Sequence, residues 1–198
     1  GEAYARNEAE TISQSLLQSS GITSLKKLME TRSGKVVLIG IVIAVFQQWS
    51  GINIIFNYAQ EVFASAGYGI SDILFNIVFT GSVNLVFTLV AMKKIDSWGR
   101  KKLMIAGASG LAVIYTALGV AYFTGVQGTV VLLLVVSGIA VYAMTLAPVT
   151  WVILSEIFPT RVRGTAMALS TVALWIACFV ITYTFPLLNN ALGAAGTF

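Results

Sequence analysis

Five apolar stretches divide the chain, at residues 36–58, 73–92, 103–124, 129–154 and 165–188. At 1.5 Å per residue, each is long enough for a helix to cross a hydrocarbon core of about 30 Å. An apolar α/β enzyme would show short strands separated by amphipathic helices instead. The pattern therefore predicts an all-α membrane protein with five transmembrane helices. Residues 1–35 are polar to amphipathic, and "RNEAETISQSLLQ" and "SLKKLMETR", split by Ser20-Gly21, predict two short surface helices ahead of the membrane. Residues 189–198 are small and uncharged, a tail that ends where another span would begin.

Composition agrees with this pattern. Hydrophobic residues make up 57% of the chain and charged ones 10%, against roughly a quarter charged in soluble domains. There is no histidine, which removes histidine acid–base chemistry and argues against a zinc enzyme. The single cysteine, Cys178, lies in an apolar run and reads as a packed thiol. No catalytic group, metal or cofactor is expected. The N-terminal "GEAYARNEAETISQSLL" lacks the basic-then-apolar layout of a signal peptide.

Charge predicts the topology. All 12 lysines and arginines fall in residues 1–35, 93–102 and 155–164, while the intervening loops carry only Glu61 and Asp72. The positive-inside rule then puts the N-terminus and both basic loops in the cytoplasm, as in a bacterial inner membrane, and the C-terminus outside. The basic balance reflects this orientation, and no nucleic-acid partner is expected.

Several polar residues interrupt the spans. Gln47 and Gln48 are adjacent and point about 100° apart on a helix. Asn53 is close to neither on an ideal helix, and Gly51 between them permits a bend. Asn57 shares the face of Asn53, and Asn84 sits midway along the second span, four residues after Thr80. One reading makes these amides glue between helices. The other, favoured for the cluster of Gln47, Gln48 and Asn53, makes them partners for a neutral polyol, whose hydroxyls both donate and accept. Aromatic Trp49, Phe56, Tyr58, Tyr142, Trp151 and Trp175 either pack or face lipid, or offer flat surface to a sugar ring. Pro148 and Pro186 predict helix kinks, structural or pivotal.

The basic loops carry a pattern of their own. Asp96 precedes Arg100 by four with Gly99 between them, and Glu156, Pro159, Arg161, Arg163 and Gly164 follow the fourth span. Charge pairs between these loops would latch neighbouring helices. Ordinary cytoplasmic anchoring is the other reading.

Taken together, "FQQWSGINIIFNYA", "GSVNLVFT", "DSWGRKKL" and "PVTWVILSEIFPTRVRG" resemble the carboxyl-terminal half of a sugar transporter of the major facilitator superfamily. The chain is most similar to the sugar porter family, which includes bacterial proton-linked xylose and arabinose carriers and animal glucose facilitators. The resemblance runs from about Ser24 to Pro186 and implies a partial major-facilitator fold, with the five spans as helices 7 to 11 of twelve. It implies that Gln47, Gln48 and Asn53 contact sugar hydroxyls from the seventh helix and Asn84 from the eighth, with Trp151 and Trp175 bordering the cavity. Asp96, Gly99, Arg100 and Lys101 match the superfamily's loop signature, and Glu156 and Arg163 match the charges that network with it. Residues 1–35 resemble the cytoplasmic linker between the two halves. The implied partners are a monosaccharide, possible protons, the missing six-helix N-terminal half and membrane lipids.

There are departures from the family pattern. Leu146-Ala147 stand where a tryptophan-glycine pair precedes the proline, and Leu174 stands where a glutamine precedes Trp175. Asn57 replaces a common tyrosine and Gln60 a common proline. The expected function is transmembrane transport of a pentose or hexose by alternating access, by proton symport or facilitated diffusion, as part of a longer transporter. The alternatives are a structural or regulatory membrane subunit, and a sensor that binds sugar without moving it.

Overall fold

The computed structural model describes residues 32–160 and 162–197. The two short helices expected within residues 1–35 lie outside this range, apart from its last four residues, and so does Arg161. Eight helical segments follow in order: α1 (Arg32–Trp49), α2 (Ile52–Asn57), α3 (Ala59–Ser65), α4 (Ile70–Trp98), α5 (Arg100–Phe123), α6 (Thr129–Met144), α7 (Leu146–Ile157) and α8 (Arg163–Thr197). No strand occurs among the described residues. Helix is the form these runs must take, because each backbone N–H and C=O is then paired within its own segment.

Among the described residues, five helices are long and apolar enough to cross a membrane: Gly34–Asn57, Ile70–Trp98, Arg100–Phe123, Thr129–Ile157 and Arg163–Gly193. The first combines α1 with α2 and the fourth combines α6 with α7. The fourth is the central one, with 44% of its apolar window buried against 17% for the second. α6 packs between α4 and α5, while α1 lies along α8. Two main clusters result. Ile52, Ile55, Phe63, Leu118, Ile139 and Leu146 join α2 and α3 to α5, α6 and the start of α7. Val37, Ala44, Leu154, Phe158, Ala166 and Leu174 join α1 to α7 and α8.

The break between α6 and α7 falls at Thr145 (φ −126°, ψ −87°). Pro148, three residues later, has no N–H for the Met144 carbonyl, and its ring crowds that carbonyl, so the helix yields one turn upstream of the proline. Thr145 N–H shortens its bond to the Tyr142 carbonyl. Its hydroxyl then donates to the bypassed Val141 carbonyl at 2.5 Å. α5 accommodates this bend at Gly107, where a Cβ would lie 2.2 Å from Thr145 Oγ1 and 2.7 Å from its Cβ.

Because the obstacle is a short β-branched side chain already held by a hydrogen bond, Gly107→Ala cannot be absorbed by a rotamer change. We expect it to destabilise the protein by about 1–3 kcal/mol, read as a lower thermal unfolding temperature in detergent. An unchanged temperature would show that α5 can move away from the bend.

Candidate functional site

The amides at the end of α1 are set by a helix break. Gly51 adopts φ 82°, a left-handed conformation that glycine takes without strain. Its N–H bonds the Gln48 carbonyl and thereby bypasses that of Gln47, which the Ser50 hydroxyl takes instead at 2.7 Å. Beyond the break, α2 starts in a new direction. On an unbroken helix, residues five apart point about 140° away from each other. Here Asn53 Nδ2 donates to Gln48 Oε1, a contact the ideal-helix expectation excluded and the bend creates.

Gln47 turns the other way, and its Nε2 donates to the Tyr142 hydroxyl on α6. Both glutamines and Tyr142 are buried, and Asn53 is half-buried. Gln47 Oε1 is buried without a hydrogen-bond partner. An amide carbonyl in that position is an acceptor waiting for a donor.

The remaining expected contacts are more dispersed. Asn84 is half-buried on α4, in line with the buried Thr80. Trp151 and Trp175, on α7 and α8, are 40% and 63% exposed. Asn57 is exposed at the end of α2. Asn76 is not among the residues expected above, yet it is buried with its Nδ2 unpartnered. Its signal in the sequence is spacing: Asn76, Thr80 and Asn84 recur every four residues and share a face of α4.

At the end of the bundle that carries the basic loops, one arginine joins three helices. Gly99 (φ 83°) separates α4 from α5 and places Arg100 at the first turn of α5. Arg100 Nη2 lies 2.8 Å from Asp96 Oδ1 on α4 and 2.8 Å from Glu156 Oε1 on α7. Asp96 is 79% exposed, so its share is small, and Glu156 provides the stronger tie. Lys101 is exposed. Arg163 Nε donates to the Phe158 carbonyl at 3.3 Å, capping the end of α7.

Five membrane-length helices among the described residues, carrying the buried amides Gln47, Gln48 and Asn76, describe a multi-pass membrane protein. The chain belongs to the sugar (and other) transporter family, which matches it across residues 1–198. It is 41% identical over 155 residues to the D-xylose-proton symporter of Escherichia coli (strain K12), an alignment covering 78% of this chain and 32% of the symporter. It is 34% identical over 200 residues to the arabinose-proton symporter of Bacillus subtilis (strain 168), covering 100% of this chain and 43% of that one. The glucose facilitated diffusion protein of Zymomonas mobilis is 36% identical over 163 residues, covering 82% and 34%. Among solved structures, the proton:xylose symporter XylE bound to 6-bromo-6-deoxy-D-glucose superposes with a TM-score of 0.79 at 36% identity, covering 96% of this chain and 40% of that one. The chain thus spans well under half the length of these relatives. They are sugar transporters of the major facilitator superfamily, not enzymes.

If the left-handed conformation at Gly51 is what aligns Asn53 with Gln48, Gly51→Ala should cost about 1–2 kcal/mol. Gly51→Asn should cost less, since asparagine tolerates that region better. Denaturant or thermal unfolding of the two variants checks this, and equal losses would rule out φ as the reason.

Proposed function

We propose that this chain forms the carboxyl-terminal half of a monosaccharide transporter, its five spans serving as helices 7 to 11 of twelve. Residues 36–188 are the bundle, residues 1–35 the cytoplasmic linker and residues 189–198 an extracytoplasmic tail. The transported sugar is a pentose or hexose, moved by alternating access through proton symport or facilitated diffusion. Both modes occur in the names of the relatives described above.

One observation carries this reading: the buried, unpartnered Gln47 Oε1 beside a second amide pair, Gln48 and Asn53. Neutral amides in a dry site replace the water shell of a neutral polyol without the desolvation penalty of a buried charge. In this reading Gln47 accepts a sugar hydroxyl while Tyr142 holds its other end. Gln48 and Asn53 exchange their mutual bond for bonds to the sugar. Asn84 contributes from α4, and Trp151 and Trp175 line or border the cavity that the other half completes. The gathering of basic residues on one side supports a cytoplasmic N-terminus in a multi-pass inner-membrane protein. Arg100, with Asp96 and Glu156, then ties the cytoplasmic ends of α4, α5 and α7, and must release as that side opens. Gly99, Lys101 and Arg163 belong to the same loops.

The test is uptake by the full-length transporter in proteoliposomes, with labelled xylose, arabinose, glucose and galactose. Gln48→Ala removes one neutral hydrogen bond, worth about 0.5–1.5 kcal/mol, and should weaken apparent sugar affinity about two- to tenfold. Unchanged affinity and flux would assign the amides to helix packing. Saturable binding without flux would make the protein a sensor.

A further inference from the structure

Pro186 lies inside α8, well within the last membrane-length span. In an α-helix the N–H of residue 186 would bond the carbonyl of residue 182, but proline has no N–H to offer. The Thr182 carbonyl is therefore left without its intrahelical donor in a region where water cannot supply one. The structure shows what takes its place. Tyr58 Oη donates to the Thr182 carbonyl at 2.9 Å. The Tyr58 ring also packs on Phe185, with centroids 4.7 Å apart and planes inclined by 36°. Both contacts fall on the turn of α8 that the proline weakens.

Tyr58 is well placed for this. It is the single residue between α2 and α3, at φ −115° and ψ 29°. Its own N–H bonds the Ile54 carbonyl at 2.8 Å and its carbonyl accepts from Val62 N–H at 2.9 Å. The backbone of the junction is thus satisfied internally, and the side chain is what reaches α8. On the far side of the junction α3 is fixed to the rest of the bundle. The Tyr122 hydroxyl donates to the Val62 carbonyl at 2.9 Å, and Gly128 N–H donates to the Ala66 carbonyl at 2.8 Å. Ile52 and Ile55 seat α2 on the α5–α6 side. On the α8 side, Tyr58 supplies its polar tie.

We propose that the Tyr58 hydroxyl replaces the N–H that Pro186 withholds from the Thr182 carbonyl, and that this bond positions α2, with Asn53, against α8. Tyr58 is a positioning residue: it acts on the sugar site through the direction of α2. The arrangement differs from a continuous helix in one respect that matters for a moving protein. A helical N–H cannot leave its carbonyl without unwinding the helix, whereas a hydroxyl on another segment can separate and return. The function of the positioning rests on the sugar-site reading above; the bond exchange itself does not.

A double-mutant cycle in the full-length transporter tests this. Tyr58→Phe keeps the ring on Phe185 and removes only the hydroxyl. Pro186→Ala gives α8 its own donor for Thr182, so the carbonyl no longer depends on Tyr58. We expect Tyr58→Phe to raise the KM for sugar uptake about three- to tenfold, with a much smaller change in maximal rate. Once Pro186 is alanine, adding Tyr58→Phe should change KM less than about twofold. Amide hydrogen exchange across residues 52–57 should be faster in Tyr58→Phe than in wild type, and should not rise further when Tyr58→Phe is added to Pro186→Ala. Effects of Tyr58→Phe that are equal in both backgrounds, or wild-type exchange in Tyr58→Phe, would overturn the proposal. Should the wild-type transporter move no sugar, the sugar-site reading fails while the exchange data still decide the bond. Should Pro186→Ala not fold, exchange and KM in Tyr58→Phe alone remain decisive.

Discussion

The constraint on which the rest depends is that a carbonyl released from its helix inside a membrane must find another donor within the protein. Four carbonyls released at helix breaks in this bundle receive a side-chain hydroxyl instead. The Gln47 carbonyl, bypassed at Gly51, receives the Ser50 hydroxyl. The Val141 carbonyl, bypassed above Pro148, receives the Thr145 hydroxyl. The Val62 carbonyl, bypassed where α3 ends, receives the Tyr122 hydroxyl. Thr182, orphaned by Pro186, receives the hydroxyl of Tyr58. Breaks that would otherwise be prohibitive become tolerable features.

What the breaks achieve is direction. The bend at Gly51 brings Asn53 to Gln48 and leaves Gln47 facing α6. The bend at Thr145 begins α7 in a new direction, and α7 ends near Arg100, where Glu156 meets the guanidinium. One end of the bundle thus carries neutral amides at a bend, and the other a charge cluster at the helix ends. Neutral donors and acceptors suit a dry interior, whereas the exposed ions at the basic end remain in contact with water and can separate at little cost. The two kinds of site sit on different helices, the amides on α1 and α2 and the charges on α4, α5 and α7.

Much of the architecture was legible in the chain. Five apolar runs of membrane-crossing length, separated by short polar loops, admit little besides five helices. Gly51 and Pro148 announced bends, although Pro148 did not show that the helix would yield at Thr145. The odd placement of Gln47, Gln48 and Asn53 was visible, but their pairing was not. Asn53 was expected to be near neither glutamine, because that geometry presumed a continuous helix. Asn76 passed unnoticed, although its four-residue spacing from Thr80 and Asn84 was there to be read. Arg163 was expected among the loop charges, and the fold gives its Nε the Phe158 carbonyl as a partner.

The division follows from the range of the forces. Hydropathy, chain length and the positions of lysine and arginine act along the sequence, so the chain by itself determines its membrane-crossing helices and the gathering of its basic residues into alternate loops. Which carbonyl accepts the Tyr58 hydroxyl, which ring faces Gln47 and which carboxylate reaches Arg100 depend on residues 124, 95 and 56 positions apart. Only the packing of α1 along α8, of α6 between α4 and α5, and of α7 beside α5 brings those groups within reach. Hydrogen bonds and ion pairs act over a few ångströms, so tertiary structure alone decided them.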